Sequence, residues 1–275
     1  MNGNNALKVA EGTSARPFLK WAGGKRWLVA TILAQVGGFN RYYEPFLGGG
    51  ALFFGVAPRE AAISDANAKL VTTYKALQYD PDAVTRRLRS YVNTPEFYNG
   101  IRQKNFDVGP IDERAADFIY CNRVNFNGLY RENRRGQYNV PFGRNPRATI
   151  CDEPNLLAVA EALQGVEVRT SDFEEGAANA AEGDLCYFDP PYVPLSATSN
   201  FTSYQADGFG SSDQVRLRDL AMRLRERGVR VVLSNSSAPF VFDLYKDFNV
   251  VRVSARRAIN SNAEGRGAID EVLIT

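Results

Sequence analysis

Arg41-Tyr42-Tyr43-Glu44-Pro45-Phe46-Leu47-Gly48-Gly49-Gly50 runs into Ala51-Leu52-Phe53-Phe54-Gly55-Val56-Ala57 and, after three residues, into Ala61-Ala62-Ile63-Ser64-Asp65. Arg41 to Phe46 reads as a strand and the three glycines as a turn. Ala51 to Ala57 continues from them as a helix, and Ala61 to Ser64 is a second short strand ending at an acid. Strand, glycine turn, helix, strand and acid together open a βαβ unit.

Working outward, Lys25 to Val36 reads as a short helix before that unit. After it the strands stop. Lys69 to Leu77, Ala83 to Val92 and Asp112 to Val124 are helical stretches, with Pro81, Pro95 and Pro110 at their boundaries. Leu129 to Arg131 and Tyr138 to Pro141 flank a turn at Arg135-Gly136 and suggest a β-hairpin. The α/β rhythm then returns with helix Asn155 to Leu163, strands Val166 to Arg169 and Leu185 to Phe188, helix Asp213 to Arg227 and strand Val229 to Ser234. Ser211 with Gln214 forms a capping-box pattern at the start of that last helix. Val250 to Val253 and Ile269 to Ile274 are placed to close the sheet antiparallel. The expected architecture is α/β: a Rossmann-like, largely parallel sheet with helices on both faces, interrupted by a mostly helical insertion. Ligands in such sheets sit beyond the carboxyl ends of the strands.

The composition excludes more than it names. The 275 residues hold no histidine, so a Ser-His-Asp or Cys-His nucleophilic pair, a His-ligated zinc and a histidine general base are all ruled out. Cys121, Cys151 and Cys186 have no paired metal or redox spacing, and no metal site is expected. No apolar run reaches the eighteen or so residues of a membrane span, and Met1 to Gly12 lacks the pattern of a signal peptide. The expectation is a cytoplasmic protein, monomeric in solution, with no membrane partner. A formal net charge of +2 conceals local asymmetry. Between Arg123 and Arg147 stand six arginines (123, 131, 134, 135, 144, 147) and one acid, Glu132, interleaved with Phe126, Tyr130, Tyr138 and Phe142. Basic side chains among aromatics suit a phosphate backbone and a disturbed base stack, although composition leaves an arginine-rich solvated loop equally open.

Three features carry chemistry. The glycines after a strand let the backbone approach a ligand at a helix start, or serve only as a flexible turn. Spacing excludes two phosphate-binding loops: G-x-G-x-x-G from Gly48 fails at Phe53, and a Walker-type loop ending at Gly24-Lys25 fails at Leu19 and Arg26. Asp65, at a strand end, is placed to accept ribose hydroxyls or, alternatively, to cap the helix beginning near Asn67. With the glycines it favours an adenosine ligand without phosphates, a description S-adenosylmethionine fits. The sharpest signal is Asp189-Pro190-Pro191-Tyr192 after strand Leu185 to Phe188. Two prolines stop the strand and remove two N–H donors while keeping the carbonyls. A rigid carboxylate, carbonyls and an aromatic face grip a planar amine by its edge and its surface.

From Phe18 onward the sequence resembles the DNA adenine-N6 methyltransferases of the Dam type. The resemblance rests on Phe18-Leu19-Lys20-Trp21-Ala22-Gly23-Gly24-Lys25, Glu44-Pro45-Phe46 with the glycines, and Asp65. It continues through Asn127-Gly128-Leu129 to Arg131, Asn139-Val140-Pro141-Phe142-Gly143-Arg144, Asp189-Pro190-Pro191-Tyr192, Phe201-Thr202 and Ser234-Asn235. It implies a discontinuous S-adenosylmethionine-binding domain, residues 1–66 and 150–275, around a target-recognition domain at 67–149. Asp189, Pro190, Pro191 and Tyr192 are then the catalytic box, acting on an adenine flipped out of duplex DNA. Trp21, Lys25, Phe46, Gly48, Gly50, Asp65, Asp172, Phe173 and Asp189 are implied for the cofactor, although Trp21 also reads as core and Asp172 as a turn cap. Lys20, Asn127, Leu129, Arg131, Pro141 and Arg144 are implied for DNA. Leu129, Arg131 and Pro141 match positions that meet the bases of a GATC site, and Lys20 one that contacts its first guanine. The weaker expectations are an amino-methyltransferase acting on cytosine N4, RNA or a protein amide, and a DNA-binding relative without catalysis.

Overall fold

The computed structural model describes residues 15–21, 25–133, 135–195, 208–255 and 269–275. Ala22 to Gly24, Arg134, Phe201-Thr202 and Met1 to Gly12, all weighed above, lie outside them. Along the chain come a 3₁₀ turn (Arg26–Leu28), α1 (Val29–Val36), β1 (Tyr42–Glu44), α2 (Ala51–Val56), β2 (Ala61–Asp65), α3 (Ala68–Tyr79), α4 (Pro81–Ser90), α5 (Pro95–Arg102) and α6 (Ile111–Val124). There follow a second 3₁₀ turn (Phe126–Gly128), α7 (Glu153–Ala162), β3 (Glu167–Thr170), α8 (Phe173–Ala177), β4 (Leu185–Phe188), α9 (Ser211–Glu226), β5 (Arg230–Ser236), α10 (Pro239–Leu244), β6 (Val250–Ala255) and β7 (Ile269–Ile274). The residues divide into two compact units: 1–38 with 47–172, and 39–46 with 173–275.

In the first unit β2 pairs parallel with β3, from Ala62 opposite Glu167 to Asp65 opposite Thr170. Its helices start where short polar side chains meet orphan N–H groups. Asn67 Oδ1 accepts from Lys69 and Leu70, Asp80 from Ala83, and Thr94 from Phe97, with Pro81 and Pro95 at the first helical positions. Helix α5 was absent from the sequence reading, yet its Thr-Pro start is the same signal that marks α4. Helix α6 packs against α3, α4 and α5. It is buried from Ala115 to Asn122, so it carries a polar residue, Asn122, into the core.

The expected hairpin forms only in part. Asn139 N–H donates to the Arg131 carbonyl (2.7 Å) and Asn133 N–H to that of Gln137 (2.9 Å), with isolated bridges at Glu132–Tyr138 and Asn125–Phe142. Asn127 and Gly128, just before the first hairpin segment, take positive φ, +57° and +66°, so no extended run enters the hairpin from that side.

In the second unit β1, β4 and β5 run parallel, with Tyr42 opposite Leu185 and Phe188 opposite Leu233. Strand β7 pairs antiparallel with β5 and β6 pairs antiparallel with β7, the closure expected of the last two extended stretches. Every residue of β4 is buried, as a parallel strand covered on both faces requires. One capping assignment is corrected. The N-cap of α9 is Gly210, whose N–H donates to Asp213 Oδ2 at 2.9 Å, so Ser211 is already inside the helix. Gln214 is buried and bonds elsewhere.

Candidate functional site

In the first unit the glycine turn is a fixed structure. Gly48 sits at φ +49° and Gly50 at φ +67°, which residues with side chains rarely adopt. A Cβ on Gly48 would lie 2.7 Å from Trp21 Cδ1, and one on Gly50 2.8 Å from the Tyr74 hydroxyl. Leu47 N–H donates to the Ser64 carbonyl (3.0 Å), Gly50 N–H to that of Leu47 (2.8 Å), and Tyr74 O–H to that of Gly48 (3.1 Å). Asp65 completes the arrangement. Its Oδ2 accepts from Gly48 N–H and its Oδ1 from Asn67 N–H, both at 2.9 Å. Burial pushes the Asp65 carboxyl above its ordinary range, and those two N–H bonds pull it back. Asn67, not Asp65, caps α3. Asp65 instead ties the strand end to the turn, and each of its oxygens has a second lone pair for a further donor.

Trp21 crosses this turn and stacks on Tyr130 (centroids 5.4 Å apart), joining the glycines to the arginine-rich stretch. Lys25 is buried, and its carbonyl closes the first 3₁₀ turn. Asp172 is exposed beyond the end of β3.

In the second unit Phe46 stacks on Phe173 (5.5 Å, 20° between planes), and Phe209 meets both rings edge-on. The Arg216 guanidinium lies 4.9 Å over the Phe173 ring. Phe173 is thus engaged by Phe46 and Arg216, while Phe46 stays half-buried. Sequence reading missed Phe209 and Arg216, which carry no local motif.

The Asp189-Pro190-Pro191-Tyr192 box leaves the end of β4 and is pinned almost atom by atom. Ser234 Oγ donates to Asp189 Oδ1 at 2.7 Å. The Pro191 carbonyl accepts from Gln214 Nε2 (2.9 Å), and Gln214 Oε1 accepts in turn from Asn235 Nδ2 (3.1 Å). Asn235 Oδ1 accepts from Val193 N–H, and Tyr192 O–H donates to Glu271 Oε2, each at 3.1 Å. Burial, with the Asp189 charge next, pushes the Tyr192 phenol far up, so its hydroxyl stays protonated. Among the described residues the Pro190 carbonyl accepts no hydrogen bond. The box therefore has two carbonyls in different states, one engaged within the protein and one left for another donor.

The arginine-rich stretch has an equally specific framework. Asn122, fully buried on α6, accepts from Lys20 N–H (2.7 Å) and donates to the carbonyls of Lys20 (2.8 Å) and Gly128 (3.2 Å). Gly128 is pressed so closely on Lys20 that a Cβ would lie 2.3 Å from Lys20 Cβ. Burial and the neighbouring Arg123 hold the Lys20 ammonium below its ordinary range. Asn127, Leu129, Arg131, Pro141 and Arg144 are all exposed, Leu129 by 49%. Arg131 turns its Nε and Nη2 onto the Asn139 carbonyl (3.0 and 2.8 Å), which fixes one edge of the guanidinium. Arg123 departs from the composition argument. It is half-buried and donates to the Thr149 carbonyl (2.9 Å), so it braces the fold. Among the described residues no three acids or cysteines gather to hold a metal, and no helix is long and apolar enough to cross a membrane.

A rigid carboxylate and carbonyl after a strand, a glycine turn closed by an acid, and an exposed basic hairpin are all present. The family described as D12 class N6 adenine-specific DNA methyltransferase matches residues 21–259. The chain belongs to that family. It is 43% identical to the type II methyltransferase M1.LlaDCHI of Lactococcus lactis subsp. cremoris, over 94% of this chain and 95% of that protein. It is 38% identical to the type II methyltransferase M.MjaIII of Methanocaldococcus jannaschii (94% and 98%) and 34% identical to the DNA adenine methylase of Escherichia coli K12 (94% and 94%). A D12-class adenine methyltransferase acts on DNA at adenine N6. The alternatives of cytosine N4, RNA, a protein amide and a silent DNA-binding relative fall away with that membership.

Proposed function

We propose that this D12-class enzyme methylates the adenine of GATC in duplex DNA, with Asp189 and the Pro190 carbonyl as the groups that activate N6. The observation that carries the reading is the asymmetry of the box: Asp189 is held by Ser234 and the Pro191 carbonyl is taken by Gln214, while the Pro190 carbonyl has no partner among the described residues. Adenine N6 is a weak nucleophile because its lone pair is delocalised into the ring. When the Asp189 carboxylate and the Pro190 carbonyl each accept one N6 hydrogen, they draw the nitrogen toward a pyramidal form with its lone pair directed out of the ring plane. Tyr192 supplies a ring face for the adenine, and its hydroxyl bond to Glu271 keeps that face in one orientation.

S-adenosylmethionine, when bound, supplies an electrophilic methyl on a sulfonium. The residues fit it. Gly48 and Gly50 keep side chains out of a turn whose conformation excludes them, and Asp65 retains lone pairs for ribose hydroxyls without any phosphate-binding loop. In the first unit Trp21, Lys25, Gly48, Gly50, Asp65 and Asp172 are assigned to holding the cofactor, and in the second Phe46, Phe173 and Asp189. Residues 67–149 form the target-recognition region, and 1–66 with 150–275 the catalytic domain. Arg131 reads guanine through guanidinium hydrogens that Asn139 does not take, Leu129 and Pro141 pack on a thymine methyl, and Lys20 contacts the first guanine. Asn127 supports this base-reading segment. Arg144 holds phosphate.

Incubation with labelled S-adenosylmethionine and duplex DNA, followed by nucleoside analysis and mapping, tests both parts. Label is expected in N6-methyladenine at GATC. Label at another adenine-containing sequence refutes the site. An Asp189→Ala protein that still transfers methyl at the wild-type rate refutes the catalytic assignment.

A further inference from the structure

The hydrogen bond on Asp189 belongs to a longer chain. Ser234 is fully buried on β5, and its Oγ lies 2.7 Å from Asp189 Oδ1, 3.0 Å from the Tyr187 hydroxyl and 3.5 Å from the Phe188 carbonyl. A serine hydroxyl has one hydrogen. Ser234 also meets the Tyr192 hydroxyl, whose own hydrogen goes to Glu271. A carboxylate only accepts, and its contact with Ser234 is short, so the Ser234 hydrogen goes to Asp189 and the Tyr187 hydroxyl donates to Ser234. Tyr187 can fill that role because burial, with the Asp189 charge behind it, pushes its phenol well above the ordinary range. The result is a two-step line of O–H donors ending on the carboxylate.

We propose that Ser234 is a positioning residue for methyl transfer: its hydroxyl, oriented by Tyr187, holds the Asp189 carboxylate in the rotamer and the ionised state that accept an adenine N6 hydrogen. This rests on the catalytic reading of Asp189 given above. The torsion of a carboxylate about its own bond is broad, so an unrestrained Asp189 would sample many orientations. One short bond to Oδ1 selects among them, and hydrogen bonding to the charged form favours that form. The second effect matters because a protonated carboxyl presents an O–H of its own toward the amine. Glu271 on β7 is a second acid near Tyr187 and Tyr192, and Glu44 on β1 is a third near Tyr187. Among the described residues the titratable groups near the carboxylate include Tyr187, Tyr192, Glu271 and, through Tyr187, Glu44. The Ser234 hydroxyl is a donor to the carboxylate that carries no charge of its own.

The experiment is steady-state and pH-dependent kinetics of Ser234→Ala, Ser234→Thr and Tyr187→Phe beside Asp189→Ala. Ser234→Ala is expected to lower kcat by roughly 10- to 100-fold, the range for a hydrogen bond to a charged group. Its KM values and melting temperature should stay near wild type, and the acid limb of its kcat profile should move to higher pH. Ser234→Thr should recover most of the rate, and Tyr187→Phe should shift kcat and the acid limb the same way by less. Wild-type kcat and acid limb in Ser234→Ala overturn the proposal. So does a kcat loss matched by equal losses of cofactor affinity, DNA affinity and melting temperature, which marks a merely structural role. Should Ser234→Ala fail to fold, Tyr187→Phe decides, and wild-type behaviour there is equally fatal. Full activity in Asp189→Ala would instead bring down the underlying catalytic reading.

Discussion

Removing the Asn122 side chain should separate two segments, both proposed above to contact DNA, that the structure holds together. Its amide makes three bonds, accepting one N–H and donating to two carbonyls at 2.7, 2.8 and 3.2 Å. Only one amide orientation satisfies all three, with Oδ1 toward the Lys20 N–H and Nδ2 toward the carbonyls of Lys20 and Gly128. Each bond contributes about 1 kcal/mol net, and burying the groups left behind adds about 1 kcal/mol or more. Asn122→Ala should therefore cost about 4 kcal/mol, which lowers the melting temperature by about 8 to 16 °C in a protein of this size. Asn122→Asp is the sharper variant. It keeps the acceptor for Lys20 N–H but points a buried carboxylate at two carbonyl oxygens, so it should be less stable than Asn122→Ala at neutral pH. The assay is urea unfolding together with methylation of oligonucleotides changed one base pair at a time. Lys20 is registered to the Gly128–Arg131 segment through this knot and the close Gly128 contact, with the neighbouring Trp21–Tyr130 stack beside them. Discrimination at the base pair assigned to Lys20 should accordingly fall more than the rate on the preferred site. An Asn122→Ala protein as stable as wild type, or Asn122→Asp more stable than Asn122→Ala, would refute this reasoning.

Arg131→Ala should relax discrimination at one base pair by about 1 to 3 kcal/mol, measured as a ratio of kcat/KM on matched and mismatched duplexes; an unchanged ratio contradicts base reading by Arg131. Gly48→Ala forces a positive φ on alanine and sets its Cβ 2.7 Å from Trp21 Cδ1, so S-adenosylmethionine affinity and melting temperature should both fall, by calorimetry and thermal unfolding. Glu174 is bonded to Arg216 (2.7 Å) and Arg223 (2.9 Å), which hold its carboxyl below the usual 4.5. A depressed folded-state value gives stability that is present above 4.5 and is lost as pH falls through the lower folded value. The urea midpoint of Glu174→Gln should thus lie below wild type at neutral pH, with the gap closing on acidification.

Most of the element order was legible because the signals that start and stop elements are local. Asn67, Asp80 and Thr94 cap helices by reaching N–H groups two or three residues on, and a glycine turn needs only its own φ angles. Misreadings arose where two local signals competed. Ser211 and Gly210 both suit an N-cap, and the Asp213 carboxylate within reach of Gly210 N–H settled it. The hairpin expected at Leu129 to Arg131 and Tyr138 to Pro141 forms as isolated bridges and single bonds, because a turn signal places two segments side by side without fixing a ladder between them.

By itself, the sequence determined that imidazole chemistry is absent, that a βαβ unit opens at Arg41, and that a proline-stiffened carboxylate follows a buried strand. Those conclusions depend on composition and on contacts within a few residues. Tertiary structure decided which carbonyl of the box is taken, that Asp65 closes the glycine turn, that Arg123 braces the fold, and that Ser234 and Asn122 stand behind Asp189 and Lys20. Asp189 and Ser234 are 45 residues apart and Lys20 and Asn122 are 102 apart, so no local pattern pairs them. A serine on a strand or an asparagine in a helix acquires its role only when folding brings a distant acceptor within hydrogen-bonding distance and excludes the water that would otherwise satisfy it.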